Sequence, residues 1–448
     1  MTLALAGAQR SAADDQARLT LPRLAVISAA VLILLIYSQG WINLLTGGGS
    51  VAVESGLMRA VFLPAYALAI IILATAPGDS LKAALRQPFL ILLLGIVAAS
   101  TFWSIAPDQT SRRVIAVACT TLGGIVIAAK FRWAQLAEVM GVTIAILVVV
   151  SAAAAILMPS LGRMTELFPG AWRGLWPEKN ALGGNMAIGF VLAGGAAMLN
   201  PRRAWLWWGV AAGALFLVLM STSKTSLMAL LLGAAALGFV WVIRRGSAVA
   251  VVCSWLALTG IAIVAAVIVL FPSMFFEILG KDATLTGRTQ IWAAVMRQID
   301  DRPWLGYGYF AVWDDRTGWG PLAWIAHDAR FTPQHAHNSW LEQWLGMGVF
   351  GLVAWGLFYL QTMTTAIIAV YRSPGAYLAF PFLLVYSLTS FTESIAVTYN
   401  DMRWVIFVCL AVKLAWPDPP QETRRAPSAT VTMLHPARRA AWARPSSA

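Results

Sequence analysis

From Leu24 to Trp416 the chain runs through apolar segments that are each about as long as a bilayer is thick, and nothing else in the sequence constrains its fold so tightly. In hydrocarbon, backbone N–H and C=O groups have no water to bond, so such segments must form helices that pack on one another. Candidate spans fall at roughly 24–45, 57–76, 88–104, 113–129, 139–158, 181–199, 204–220, 225–243 and 248–271, then at 346–370, 376–392 and 404–416. The expected fold class is an all-α polytopic membrane protein with about 12 transmembrane helices and one long loop after the ninth. Composition agrees: 59% of residues are hydrophobic and only 12% charged, against about 25% charged in a soluble domain.

The spans divide the chain. Residues 1–23 form a polar tail without a cleavable signal. Residues 24–271 hold helices 1–9, 272–338 the long loop and 339–416 helices 10–12. The tail 417–448, rich in Pro, Ala, Ser and Arg, is expected to be disordered. Lysine and arginine set the orientation. With an even number of spans, both tails share a side with Lys82, Arg86, Lys130, Arg202-Arg203, Arg244-Arg245 and Arg372, and that side is read as cytoplasmic. The net charge of +12 does not indicate nucleic acid, because the arginines stand singly or in pairs between apolar runs. Cys119, Cys253 and Cys409 each lie in an apolar run, so no disulfide framework is implied.

The charge bias is modest. The opposite side still carries Arg112-Arg113, Arg163, Arg173, Lys179, Lys224 and Arg403, and an anionic ligand is one reason to keep cations there. They sit in polar stations: Ser100 to Asp108, Trp172-Arg173-Gly174 running on to Glu178-Lys179-Asn180, and Ser221-Thr222-Ser223-Lys224. The long loop adds Gly287-Arg288 and His335-Ala336-His337-Asn338. Three of the chain's four histidines fall between Leu285 and Glu342, the window where chemistry is expected. Arg288 also precedes a short helix with Ile291, Val295 and Ile299 on one face and Thr286 as its cap. An arginine beside a helix N-terminus makes a ready anion site.

This order of stations resembles the O-antigen ligase and polymerase family, and more closely its ExoQ-like exopolysaccharide-polymerase branch, from about Leu92 to Gly351. No single motif is specific; five in the right order, with a long loop between spans, are fairly so. The resemblance implies a GT-C-like glycosyltransferase of the bacterial inner membrane, with its active site in the long loop facing the periplasm. Such a protein takes a glycan from an undecaprenyl-pyrophosphate carrier, in exopolysaccharide or O-antigen biosynthesis. The acceptor is another lipid-linked glycan for a polymerase, or lipid A core for a ligase, and other polysaccharide assembly and export proteins are expected partners. No metal and no cofactor are implied. Carried over residue by residue, the family's essential histidine falls on His337 and its loop arginine on Arg288. Its second basic residue, commonly an arginine after a serine pair, falls on Lys224. That is a departure, since lysine is a point charge and cannot give a bidentate fork. Lys179, Arg173, Asn338 and His335 are the other candidate substrate-binding residues.

The chemistry of these residues runs alongside the resemblance. A departing lipid pyrophosphate gains negative charge, and fixed cations aimed at it are the largest catalytic contribution available. His337 as general base would take the acceptor hydroxyl's proton, and direct attack would invert the anomeric centre. Blander roles exist for each residue. His337 and His335 can satisfy backbone groups, Arg288 can pair with an acid, and Lys179 and Lys224 can snorkel at span ends. A flippase of lipid-linked oligosaccharide would share the spans, but would place charges near the bilayer midplane and show internal repeats. A zinc hydrolase would use His335, His337 and Asp328, a thin ligand set. A scaffold or receptor would be indifferent to His337.

Overall fold

The computed structural model describes residues 21–46, 56–165, 168–270, 288–416 and 418. The expected Thr286 cap, Gly287 and nearly all of both tails lie outside these residues. Each apolar segment carries a helix. The first nine are Leu21–Tyr37, Gly56–Thr75, Pro88–Ala99, Pro107–Lys130, Trp133–Leu157, Lys179–Leu199, Ala204–Met220, Lys224–Ile243 and Ser247–Leu270. Ser339–Arg372, Ala376–Ser390 and Met402–Ala415 follow. By length and composition six helices can cross a membrane, or up to seven if the Arg59–Thr75 and Pro77–Leu85 pair, bent by 101°, is one span. Four shorter apolar helices stand at further expected positions. The chain is an all-α, multi-pass membrane protein; among the described residues the one β feature is an isolated bridge between Arg163 and Trp172.

Local sequence explains where the helices begin. Proline opens the helices at Pro77, Pro88 and Pro107, where its missing N–H costs nothing. Ser223 and Asp401 cap two others through their side-chain oxygens. Between helices in lipid, close packing rather than water exclusion supplies the cohesion. A Cβ at Gly124 would stand 2.8 Å from the Val405 carbonyl oxygen, so the final helix lies tight against Pro107–Lys130. Trp355, Phe358, Tyr386, Trp404 and Phe407 fill the centre with touching rings.

The segment 288–338 is folded rather than a bare loop. Its helices Arg288–Asp301 and Pro321–Ala329 bury Ile291, Val295, Ile299, Leu322 and Ile325 in a small core of their own. The face expected from the sequence is thus the buried one. A glycine-rich strap, 303–310, sews this cap to the membrane body. Tyr307 and Gly308 donate backbone N–H groups to the Leu345 and Gly346 carbonyls at 3.0 and 2.8 Å. Ile105 donates to the Tyr307 carbonyl at 3.0 Å. Room for the strap comes from Gly348, which breaks the Ser339–Arg372 helix with φ 64° where any Cβ would strike the Trp304 carbonyl. The end covered by this cap is called the loop end below. At the opposite end, Arg86 bonds the Ala415 carbonyl, Arg203 pairs with Glu138 and Arg244 bonds the Ser373 carbonyl.

Candidate active site

Two short segments meet over the start of the Ser339–Arg372 helix. One is His335-Ala336-His337-Asn338; the other is the link 391–401 between the last two helices. Asn338 caps the helix, its Oδ1 accepting from the Trp340 and Leu341 N–H groups at 2.9 and 3.2 Å. The turn into that cap puts His337 at φ 49°, a conformation that residues with a Cβ seldom adopt and that neighbours must hold in place. The Ser339 hydroxyl donates to the Glu393 carbonyl at 2.8 Å and accepts from the Ile395 and Ala396 N–H groups. One turn on, buried Glu342 accepts from the Ala336 N–H at 3.0 Å, the Ser394 hydroxyl at 2.9 Å and the Trp313 indole. A single carboxylate therefore fastens the residue between the two histidines and the residue beside Glu393 to the same helical turn.

What this fastening brings together is a chain of charge. Arg288 Nη2 donates to Glu393 Oε1 at 2.7 Å, and Glu393 Oε2 lies 3.1 Å from His337 Nδ1. The His335 ring lies 3.9 Å from the His337 ring, and its Nδ1 accepts the His337 backbone N–H at 3.2 Å. Burial and then the neighbouring His337 push the His335 imidazole down to about 3, so it is neutral at pH 7 with its proton on Nε2. Burial alone would raise Glu393. The hydrogen bond from His337 and the Arg288 charge outweigh it and hold the carboxyl below its ordinary value. Glu393 is thus a carboxylate, which claims the proton of His337 Nδ1 and leaves Nε2 as the ring's acceptor.

A cavity of about 380 Å³ opens at this point, lined by His335, His337, Glu393 and Arg403 on one side and by Glu178 and Asn180 on the other. Arg403 forks onto Asp401, with Nε 3.0 Å from Oδ1, while Asp401 also accepts the Arg403 backbone N–H at 2.7 Å. The other sequence candidates are distributed unevenly. Asn338 spends its side-chain oxygen on the cap, and Arg288 stands behind Glu393 rather than in the cavity lining. Arg173 turns inward, donating to the Leu161 and Ser160 carbonyls at 2.8 and 3.0 Å, which braces its own loop. The Lys179 ammonium sits 3.4 Å from the Thr222 hydroxyl and over the Phe168 ring. Lys224 opens its helix after the Ser223 cap; like Lys179, it falls outside the cavity lining.

Ligand atoms of His335, His337 and Glu393 lie within 4.8 Å of one another, a spacing that could hold a metal ion. Both oxygens of Glu393 already serve the Arg288 guanidinium and the His337 ring, however, and a cation there would meet that fixed positive charge. Asp328, the third ligand of the hydrolase reading, bonds Arg297 at 2.8 Å and His327 at 3.1 Å instead. Glu393 itself escaped the sequence reading. The available signal was positional: an even span count puts the link before Met402 at the loop end, so an acid there shares a compartment with the histidines.

Residues 208–356 match the family model described as O-antigen ligase, a stretch that includes Lys224, Arg288 and His337 but stops short of Glu393. The chain is also similar to the exopolysaccharide production protein ExoQ of Rhizobium meliloti (strain 1021), 28% identical over 194 residues. That match covers 40% of this chain and 43% of the relative, so the chain spans less than half the length of the relative it matches. The resemblance to an O-antigen ligase and ExoQ-like family is borne out.

Proposed function

We propose that the protein is an inner-membrane glycosyltransferase that polymerises or transfers undecaprenyl-pyrophosphate-linked oligosaccharide at the periplasmic face, in exopolysaccharide or O-antigen assembly. The observation that carries this reading is the Arg288–Glu393–His337 relay at the rim of a polar cavity, within a chain similar to O-antigen ligases. In this reaction His337 Nε2 removes the proton from an acceptor-sugar hydroxyl. The oxygen attacks the anomeric carbon, the bond from that carbon to the pyrophosphate breaks, and the lipid pyrophosphate departs with the electron pair. Attack opposite the leaving group inverts the centre. Glu393 fixes the tautomer and stabilises the imidazolium that forms. Arg288 holds Glu393 in its charged state, and Arg403 presents positive charge to the same cavity, where the leaving group's charge develops.

Turnover of a lipid-linked donor, measured in membranes with matched protein levels, tests the assignment. His337→Ala is expected to lose about 10²–10⁴ in rate, the usual contribution of positioned proton transfer, while inserting normally. Near-native turnover would remove His337 from the mechanism. Deletion in the native host separates polymerase from ligase: long exopolysaccharide disappears in one case, O-antigen on lipopolysaccharide in the other. Metal independence belongs to the same proposal, and activity lost to EDTA and restored by zinc or magnesium would overturn it. Cysteine labelling at Arg316 and Arg244, both exposed, checks the orientation, since only position 316 should react with an impermeant reagent on spheroplasts.

A further inference from the structure

The link 391–401 has two faces. Glu393 belongs to the cavity described above, whereas Tyr399 and Asn400 face a second cavity of about 240 Å³ between the Gly56–Thr75 and Pro107–Lys130 helices. Three arginines, Arg59, Arg112 and Arg113, line this second cavity, and among the described residues no acidic side chain does. Arg113 is committed to Asp314 and the Phe310 carbonyl. Arg59 and Arg112 are exposed, and neither makes an ion pair or hydrogen bond within the described residues. Below them the wall turns apolar. Leu63 and Ile115 are 59% and 63% exposed on helices of a membrane protein, a placement that suits hydrocarbon rather than water. Gln109 adds a buried side-chain oxygen without a hydrogen-bond partner among the described residues, an acceptor for a ligand hydroxyl. The floor is firmly built: Tyr66 donates to Asn400 Oδ1 at 2.6 Å, Gln39 to the Asn400 carbonyl at 2.8 Å, and the Asn400 N–H to the Thr120 hydroxyl at 2.9 Å.

We infer that this cavity binds a lipid whose headgroup is a phosphate ester. The phosphate lies between Arg59 and Arg112, which supply charge-assisted donors, and the first carbons of the tail lie along Phe62, Leu63 and Ile115. The site is separate from the histidine cavity and stands on its own geometry, independent of the transfer reaction. Its position gives it a consequence: a lipid seated here braces Asn400, and so the link that carries Glu393. Bulk phosphatidylglycerol and a polyprenyl phosphate share this headgroup chemistry.

The test is native mass spectrometry of the full-length protein titrated separately with phosphatidylglycerol, undecaprenyl phosphate and uncharged diacylglycerol. Wild-type protein is expected to hold one phosphate lipid in preference to diacylglycerol. The Arg59→Gln/Arg112→Gln double variant is expected to lose affinity by about tenfold or more, the scale of one charge-assisted hydrogen bond. Loss confined to phosphatidylglycerol identifies a bilayer lipid, and loss confined to undecaprenyl phosphate identifies an isoprenoid carrier. Unchanged affinity for both overturns the site. Should the double variant not fold, a photoreactive diazirine residue replacing Leu63 decides the matter. Preferential crosslinking of either phosphate lipid over diacylglycerol supports the site, and equal crosslinking overturns it.

Discussion

Two arginine–carboxylate pairs join the loop-end cap to the membrane body, and they are built for different ends. Arg113 reaches from the Pro107–Lys130 helix to Asp314 and the Phe310 carbonyl, with its side chain 7% exposed. Arg288 reaches from the cap to Glu393, whose other oxygen serves His337 beside an open cavity. The first pair closes a seam between two packed surfaces. The second leaves an imidazole on the wall of an open cavity, and its carboxylate is held low by the very groups it organises. An ion pair becomes chemically useful when one partner is shared with a group that can exchange a proton.

Breaking each pair separately should divide activity from stability. The largest effect is expected at the shared pair. Arg288→Ala should remove roughly 1.5–3 kcal/mol of transition-state stabilisation, the scale of a hydrogen bond to a charged group, with Arg288→Lys restoring part of it because the positive charge beside Glu393 is kept. Glu393→Gln should lower turnover at least about tenfold with the protein still folded, since an amide cannot stabilise the imidazolium. In a double-variant cycle the two losses should be far from additive, because both act through His337. Additive losses would mean that Arg288 acts on substrate directly.

The seam pair should behave in the opposite sense. Arg113→Ala or Asp314→Ala should cost about 1–3 kcal/mol of stability in detergent by leaving a buried partner uncompensated. Activity per folded molecule should stay near native. A turnover loss exceeding the folded-fraction loss would blur the distinction between the pairs. Smaller still, the exposed Arg297–Asp328 pair should be dispensable, with Arg297→Ala within about 0.5 kcal/mol of wild type in stability. Arg316 is exposed in the same cap, and Arg316→Ala should likewise match wild type in both assays.

A separate effect concerns acid. His335 titrates near 3 in the folded protein and near 6.5 when unfolded. Between those values the unfolded chain binds the extra proton, so stability present above about pH 6.5 drains away as pH falls towards 3. Thermal unfolding of wild type against His335→Asn from pH 7 to 5 should show a shallower acid loss in the variant. Identical slopes would mean that the ring is solvated in the fold.

Helices were legible because apolar length is a property of each segment alone: every span expected from Leu24 onward carries one. The cap's buried face, Ile291, Val295 and Ile299, was legible for the same reason, since a 3.6-residue period is local. His335 and His337 stood out by their rarity, and both line the cavity. Glu393 did not stand out, because its meaning depends on a neighbour 56 residues away in sequence. Glu342 lies near enough in sequence to suggest a partner for the His337 ring, yet its oxygens go to the Ala336 N–H, Ser394 and Trp313. Arg173 shows the converse: a cation in a polar station whose donors are consumed by backbone carbonyls that no sequence pattern advertises.

That separation of 56 residues also sets an order of events during biogenesis. At about 5–20 residues per second, roughly 3–11 s pass between synthesis of the histidine and synthesis of its carboxylate partner. The link holding Glu393 is anchored from both sides, by Ser339 at one end and by the Asp401 cap of the final helix at the other. A nascent chain that ends before Met402 therefore carries the imidazole but lacks an anchored carboxylate to set its proton. Under the proposed mechanism, packing of the Met402–Ala415 helix completes the Glu393–His337 pair, and a chain truncated before that helix is expected to be inactive.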